Sequence, residues 1–324
     1  MLSAAPPNFF AIPFGLAGLA LVWRAMDDYH GAPGAIGDLL FVAAALVWLA
    51  LLAGMVQRAR RGWRPFLALL SDPVLSPFCS LPPIVGMLLA VGLEPHAHDL
   101  AKILFLVFAV ATILFGGWVT GQWIVDELDT SKINPGYFLP TVAGGLLAAN
   151  GAAGFGDEGF GWLCFGIGLV CWFVLGSIVM NRLFLARRLP APLLPTMAIE
   201  VAPPAVAGNA YFALHGPHAD ALAYGLAGYG VLMVLVQLRL LPVYRQLSFS
   251  PGFWSFTFSW TAVATFGLRW LDVEQPAGEA LWSWLVTAAV TLLVGAIALR
   301  SLGLLRRGAF FPSPPPPEPE PAVA

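Results

Sequence analysis

Apolar runs of about 18–24 residues recur ten times along residues 8–305, and each is long enough to cross a bilayer core of about 30 Å. Such a chain has to fold in hydrocarbon, where every backbone amide and carbonyl needs an internal partner, and helices are the spanning element that supplies one. Composition agrees, with 59% hydrophobic and 10% charged residues. The net charge of −2 resides in the loops and carries no signature of a nucleic-acid partner. Residues 1–308 read as one membrane domain, all-α, embedded in the lipid bilayer.

The runs alternate in kind. Those at odd positions hold Pro13, then Pro82 and Pro83, then Pro140, then Pro203 and Pro204, while the ninth has Phe256-Thr257-Phe258-Ser259 instead of an interior proline. The five between them (about residues 37–57, 101–124, 160–183, 220–241 and 279–302) contain no proline. Proline removes an amide donor and frees carbonyls, which hydrocarbon tolerates only where that backbone is buried in protein or lines a watery path. The alternation therefore predicts an inner ring of interrupted helices and an outer ring of regular ones. Ten transmembrane helices would form five hairpins in a quasi-fivefold arrangement around a central pore.

Basic residues set the expected orientation. Of the 16 Lys and Arg, 13 fall on one side (Arg58, Arg60, Arg61, Arg64, Lys132, Arg182, Arg187, Arg188, Arg239, Arg245, Arg300, Arg306 and Arg307) and three on the other (Arg24, Lys102 and Arg269). The positive-inside rule then puts both termini in the cytoplasm. The first span has no basic n-region and no small-residue cleavage site, so it reads as a span rather than a leader. The stretch 309–324 is rich in Pro and Glu and reads as an extended, disordered cytoplasmic tail.

Small residues follow the prolines, with Gly15, Gly86, Gly144 and Gly208 among them. They let helices approach closely and, facing inward, would leave room for an ion. No Lys or Arg sits mid-span. An anion on this path would meet freed backbone groups, hydroxyls (Ser80, Thr141, Thr257, Thr261, Thr265) and amides (Asn150, Asn209). Such a lining binds weakly and releases quickly, as conduction requires. Glu200 is the one carboxylate well inside a span: either a proton-coupling site, a regulator of pore potential, or a protonated carboxyl bonded to a neighbouring helix. Cys79, Cys164 and Cys171 read as packing residues. The five histidines, at 30, 96, 98, 215 and 218, read as solvated loop residues on the outer side. No metal site, cofactor or catalytic cluster is expected, so an enzyme is not the favoured class. Phe258, at the depth of Pro82 and Pro203, either packs or blocks a narrow pore by excluding water.

The segments AIPFGLAGLALVW (11–23), those around Pro82 and Pro140, APPAVAGNAYF (202–212) and FWSFTFSWTAVAT (253–265) together resemble the tellurite-resistance/dicarboxylate transporter family. That family includes bacterial TehA and the slow-type anion channels of plant guard cells. The resemblance implies a ten-helix protomer, a homotrimer with one pore per subunit, and a bacterial inner-membrane location. It also implies a pore-occluding phenylalanine in the ninth helix, which corresponds to Phe258; the plant channels carry a proline next, where this chain has Ser259. The expected function is an anion channel for chloride or nitrate, lined by Pro13, Pro82, Pro83, Pro140, Pro203, Pro204, Gly15, Gly86, Gly144, Gly208 and Thr261 and gated by Phe258. The alternative is a secondary transporter of a C4-dicarboxylate, sulfite or tellurite, with Glu200 as a possible proton-coupling group.

Overall fold

The computed structural model describes residues 5–126 and 128–311. The tail from Pro312 onward lies outside them. The described chain is helical throughout: α1 (Ala11–His30), α2 (Gly34–Arg61), α3 (Trp63–Ser71), α4 (Leu81–Leu93), α5 (His98–Val125), α6 (Gly144–Gly154), α7 (Glu158–Leu185), α8 (Ala202–His215), α9 (Ala221–Arg245), α10 (Ser255–Glu274) and α11 (Glu279–Arg306). Among the described residues, seven helical stretches are long and apolar enough to cross a membrane. The short amphipathic α3 was not anticipated from the sequence.

The seven divide by burial in the way the proline alternation predicts. Within their most apolar windows, Pro7–His30 and Ser76–Leu93 are 72% and 78% buried inside the protein, whereas α2, α5, α7, α9 and α11 are between 22% and 28% buried. Four of those five outer helices run 28 unbroken residues, about 42 Å at 1.5 Å per residue. The fifth, α9, corrects the sequence reading, because it continues to Arg245 and so contains Pro242 near its end.

The three expected spans outside the set of seven are the inner ones built on α6, α8 and α10. Their departure has a physical cause. α6 and α8 are only 11 and 14 residues of α-helix, preceded by other helical types: a 3-10 turn Pro135–Phe138 and a π segment Leu139–Ala143 before α6, and a 3-10 stretch Ala191–Val201 before α8. α10 carries Arg269, Asp272 and Glu274 in its later turns. A helix that meets protein rather than lipid need not be uniformly apolar or regular.

Pro82, Pro83, Pro203 and Pro204 are placed differently from the mid-helix breaks that the sequence suggests, whereas Pro13 and Pro140 fall near the expected cytoplasmic ends, where a proline can simply start a helix. Pro13, Pro82, Pro83, Pro203 and Pro204 stand in the first turn of α1, α4 and α8, and Pro140 opens the π segment. There the missing amide is among those a helix start leaves unbonded anyway. Ahead of each start lies a 3-10 turn with its own proline in the first two positions: Pro7, Pro77, Pro135, Pro192 and Pro251. Pro251 extends the pattern to the ninth span, which has no interior proline. Each inner segment thus passes from a tight 3-10 turn into a wider helix near its start.

Packing links these pieces in a cycle. α1 contacts α4, α4 contacts α6, α6 contacts α8, α8 contacts α10, and α10 returns to α1; each also packs on the outer helix that follows it. The turns joining the pairs are short. Gly31 (φ 62°) closes α1 and Gly216 (φ 95°) closes α8 in conformations that glycine adopts without strain. Asp157 and Asp220 then cap α7 and α9 by accepting from the amides of Phe160 and Ala223 at 3.1 and 3.0 Å.

Candidate functional site

The inner helices enclose two small cavities, one above the other. The first, about 40 Å³, lies among Phe14, Phe78, Phe138, Pro203, Trp254, Ser255 and Ser259 near the starts of these helices. The second, about 30 Å³, lies one to two turns further along, among Gly18, Leu147, Asn150, Asn209, Thr261 and Thr265. Each has room for a very few waters at most. Phe258 and Val206 border both cavities. Phe258 therefore stands at the boundary that the two cavities share.

The position of its ring follows from how α1 and α10 meet. A Cβ on Gly15 would lie 1.8 Å from Thr257 Oγ1, and one on Gly18 would lie 2.3 Å from Thr261 Oγ1 and 3.0 Å from the Phe258 ring. Only glycine permits that approach. It fixes the register so that Phe258 lies parallel to Phe14, ring centroids 3.6 Å apart and planes 11° apart. Phe14 is the functional candidate that sequence reasoning missed. The signal was present, since an aromatic residue recurs within a turn of the inner-helix starts: Phe14, Phe78, Phe138 and Trp254 all border the first cavity.

The hydroxyls expected to meet an anion are mostly committed to their own helices. Ser80, Thr257, Thr261 and Thr265 donate to the carbonyls of Pro77, Trp254, Phe258 and Thr261 at 2.6 to 3.0 Å. Thr141 Oγ1 has no partner. The amides are freer: Asn209 donates to Ala262 O at 3.1 Å, while Asn209 Oδ1 and Asn150 Oδ1 have no partner. Among the described residues, no charged side chain lines either cavity.

Of the remaining predicted positions, Pro203 borders the first cavity and Thr261 the second. Pro13, Pro82, Pro83, Pro140 and Pro204 border neither. Nor do Gly15, Gly86, Gly144 and Gly208, which stand where neighbours come close: Thr257, Phe108, Thr112 and Phe266, respectively. Glu200 is buried, with Oε1 unpartnered, in the 3-10 stretch before α8. It lies behind the cavities, toward α9, where Gln237 donates to Met197 O and Tyr244 donates to Gln237 Oε1, both at 2.8 Å.

The three cations on the sparsely charged side do not simply reach for water. Arg24 donates to Val91 O and Gly92 O at the end of α4, at 3.0 and 2.9 Å, and contacts Asp38 at 3.3 Å. Lys102 donates to Phe155 O just past α6 at 3.2 Å, and Arg269 to Asn209 O of α8 at 2.8 Å. Helix C-termini carry partial negative charge, so Arg24 and Lys102 offset the negative ends of α4 and α6, whereas Arg269 meets a carbonyl in the middle of α8. Four of the five histidines lie within 3.0–3.9 Å of a carboxylate, as His96 does at Asp38. Among the described residues, no group of three or more His, Cys, Asp or Glu is placed to hold a metal ion.

Comparison with known proteins places this architecture. Residues 4–303 match the SLAC1 family, described as voltage-dependent anion channel. The tellurite resistance protein TehA homolog of Haemophilus influenzae is 26% identical over 307 residues, covering 94% of this chain and 92% of that protein. The S-type anion channel SLAH2 of Arabidopsis thaliana is 30% identical over 272 residues, covering 81% of this chain and 49% of its own length. SLAH4 of the same plant is 26% identical over 332 residues, covering 95% and 87%. With a match running through all of the inner helices and both cavities, this chain belongs to the SLAC1 family of membrane anion channels and transporters.

Proposed function

We propose that the protein is a passive channel for small monovalent anions, chloride and nitrate among them, with a path through the two cavities and Phe258 as its plug. The observation that carries this reading is that Phe258 is shared by both cavities and lies flat against Phe14 between them. The lining supports conduction over tight binding, since a path with no fixed charge holds no deep anion site and lets ions leave quickly. The relatives named as anion channels support the same reading. The cyclic contacts of α1, α4, α6, α8 and α10 favour the quasi-fivefold arrangement of ten spans around this path. The 13-to-3 split of basic residues favours cytoplasmic termini in a bacterial inner membrane. A homotrimer with one path per protomer follows from family likeness.

The test is current through purified protein in planar bilayers under a chloride gradient. Reversal at the chloride equilibrium potential is expected, and reversal at the cation potential would sink the proposal. The cations at the carbonyl ends give a second expected result. Arg24→Gln uncovers the Val91 and Gly92 carbonyls at the end of α4 and should lower chloride current about three- to tenfold at low ionic strength. The deficit should shrink as salt rises, because screening weakens the field of the exposed carbonyls. A salt-independent deficit would point to a packing defect instead.

Glu200 keeps a second reading in view, a proton-coupled transporter of a dicarboxylate, sulfite or tellurite, because its buried Oε1 has no partner. A carboxyl behind the cavities has no part in passive flow, so Glu200→Gln should leave chloride current within about twofold of wild type. Loss of proton-linked dicarboxylate uptake in that variant, with no current in either form, would establish the transporter in its place.

A further inference from the structure

A long apolar groove of about 730 Å³ runs along the outside of α10, between α9 and α11. It is separate from the cavities around Phe258. Phe249, Phe253, Phe256 and Trp260 border it, and Arg245 and Arg300 border it as well. Both arginines are exposed, and the Arg300 guanidinium lies 5.8 Å over the Phe249 ring. No carboxylate borders the groove, and among the described residues neither arginine is in an ion pair. The groove follows α11 from Val286 to Arg300, about 21 Å at 1.5 Å per residue. One leaflet contributes about 15 Å of hydrocarbon. A chain lying in the groove therefore reaches from the arginines past the bilayer midplane.

We propose that this groove seats one anionic phospholipid of the arginine-rich leaflet, its phosphate between Arg245 and Arg300 and an acyl chain along α10. Charge selects the headgroup. Two cations without carboxylate partners attract a phosphate that carries net negative charge, whereas a choline headgroup would bring its own cation beside them. Shape selects the tail, because the groove is apolar, elongated and open along its length. At Gly267, which borders it, an added Cβ would meet nothing within 4 Å, so a larger side chain there fills the seat without disturbing the helix pair.

The experiment uses the full chain, purified in mild detergent and titrated with phosphatidylglycerol or phosphatidylcholine under native mass spectrometry. Wild type should retain phosphatidylglycerol roughly 25-fold more tightly than phosphatidylcholine. The double variant R245Q/R300Q should lose that preference, at about fivefold per arginine, and Gly267→Leu should weaken both lipids with no change in monodispersity. Equal retention of the two lipids by wild type would overturn the proposal. So would a preference that survives R245Q/R300Q, since other basic residues would then hold the headgroup. A change in protomer number for Gly267→Leu, without loss of lipid, would show instead that a second copy of the chain covers the groove. None of these readouts depends on whether the protein conducts anions.

Discussion

Phe258→Ala is expected to raise anion current at least tenfold over wild type at the same protein density, with the reversal potential unchanged. The ring is only 7% exposed and is the aromatic boundary common to two cavities of about 40 and 30 Å³. Each is just large enough for water, so a ring between them breaks the hydrated path and leaves an apolar barrier. Every 1.4 kcal/mol removed from that barrier is about a factor of ten in rate. Truncation to Ala joins the cavities. Phe14→Ala should raise current less, because Phe258 still lies across the path, and the double variant should be non-additive, since the rings share one constriction. Phe266→Ala is the control. That ring lies over Gly208 and borders neither cavity, so its loss should cost stability without opening the pore. A folded Phe258→Ala protein with wild-type current would remove the gate from the account.

Much of this architecture is written in the chain, in features whose physics is local. Four of the five inner runs carry an interior proline and the ninth does not, so proline separated most of the buried helices from those facing outward, and α10 had to be assigned by its place in the alternation. Side-chain direction was not legible. A helix buried on all sides has no polar face to mark its orientation, so nothing in AIPFGLAGLALVW tells whether Gly15 or Phe14 points to the axis. The structure sends Gly15 to Thr257 and Phe14 to the cavity. Sequence spacing likewise made Thr257 and Thr261 look available to an anion, but within a helix their hydroxyl protons go to the carbonyls three residues back. Phe258 was singled out by resemblance to a family, because the chain has 23 phenylalanines and depth alone does not choose among them. The 3-10 turns that carry Pro7, Pro77, Pro135, Pro192 and Pro251 in their first two positions escaped notice, since these prolines lie just ahead of the apolar runs and read as loop residues there.

Gly145→Ala is expected to be the most disruptive single-methyl change in the chain. A Cβ at Gly145 would lie 2.7 Å from Gly168 N and 2.9 Å from Cys164 O, both backbone atoms of α7. A flexible side chain in the way can rotate aside; a helix backbone cannot. The reciprocal position is equally tight, since a Cβ on Gly168 would come 2.8 Å from Leu146 N. Small residues on both sides thus bring α6 and α7 into direct backbone contact, the arrangement that drives helix association where hydrophobic transfer contributes little. Overpacking of this kind costs about 1–3 kcal/mol or more, so the melting temperature in detergent should fall by several degrees, and Gly145→Leu should yield no folded protein. The matched change is Gly117→Ala, on the exposed face of α5, where a Cβ meets nothing within 4 Å. Relief of glycine's helix penalty, about 0.5–1 kcal/mol, should leave that variant at least as stable as wild type. Equal melting temperatures for the two variants would mean that α6 and α7 do not touch through Gly145. Because Leu146, Leu147 and Asn150 border the cavities from α6, that contact also sets the width of the two cavities that meet at Phe258.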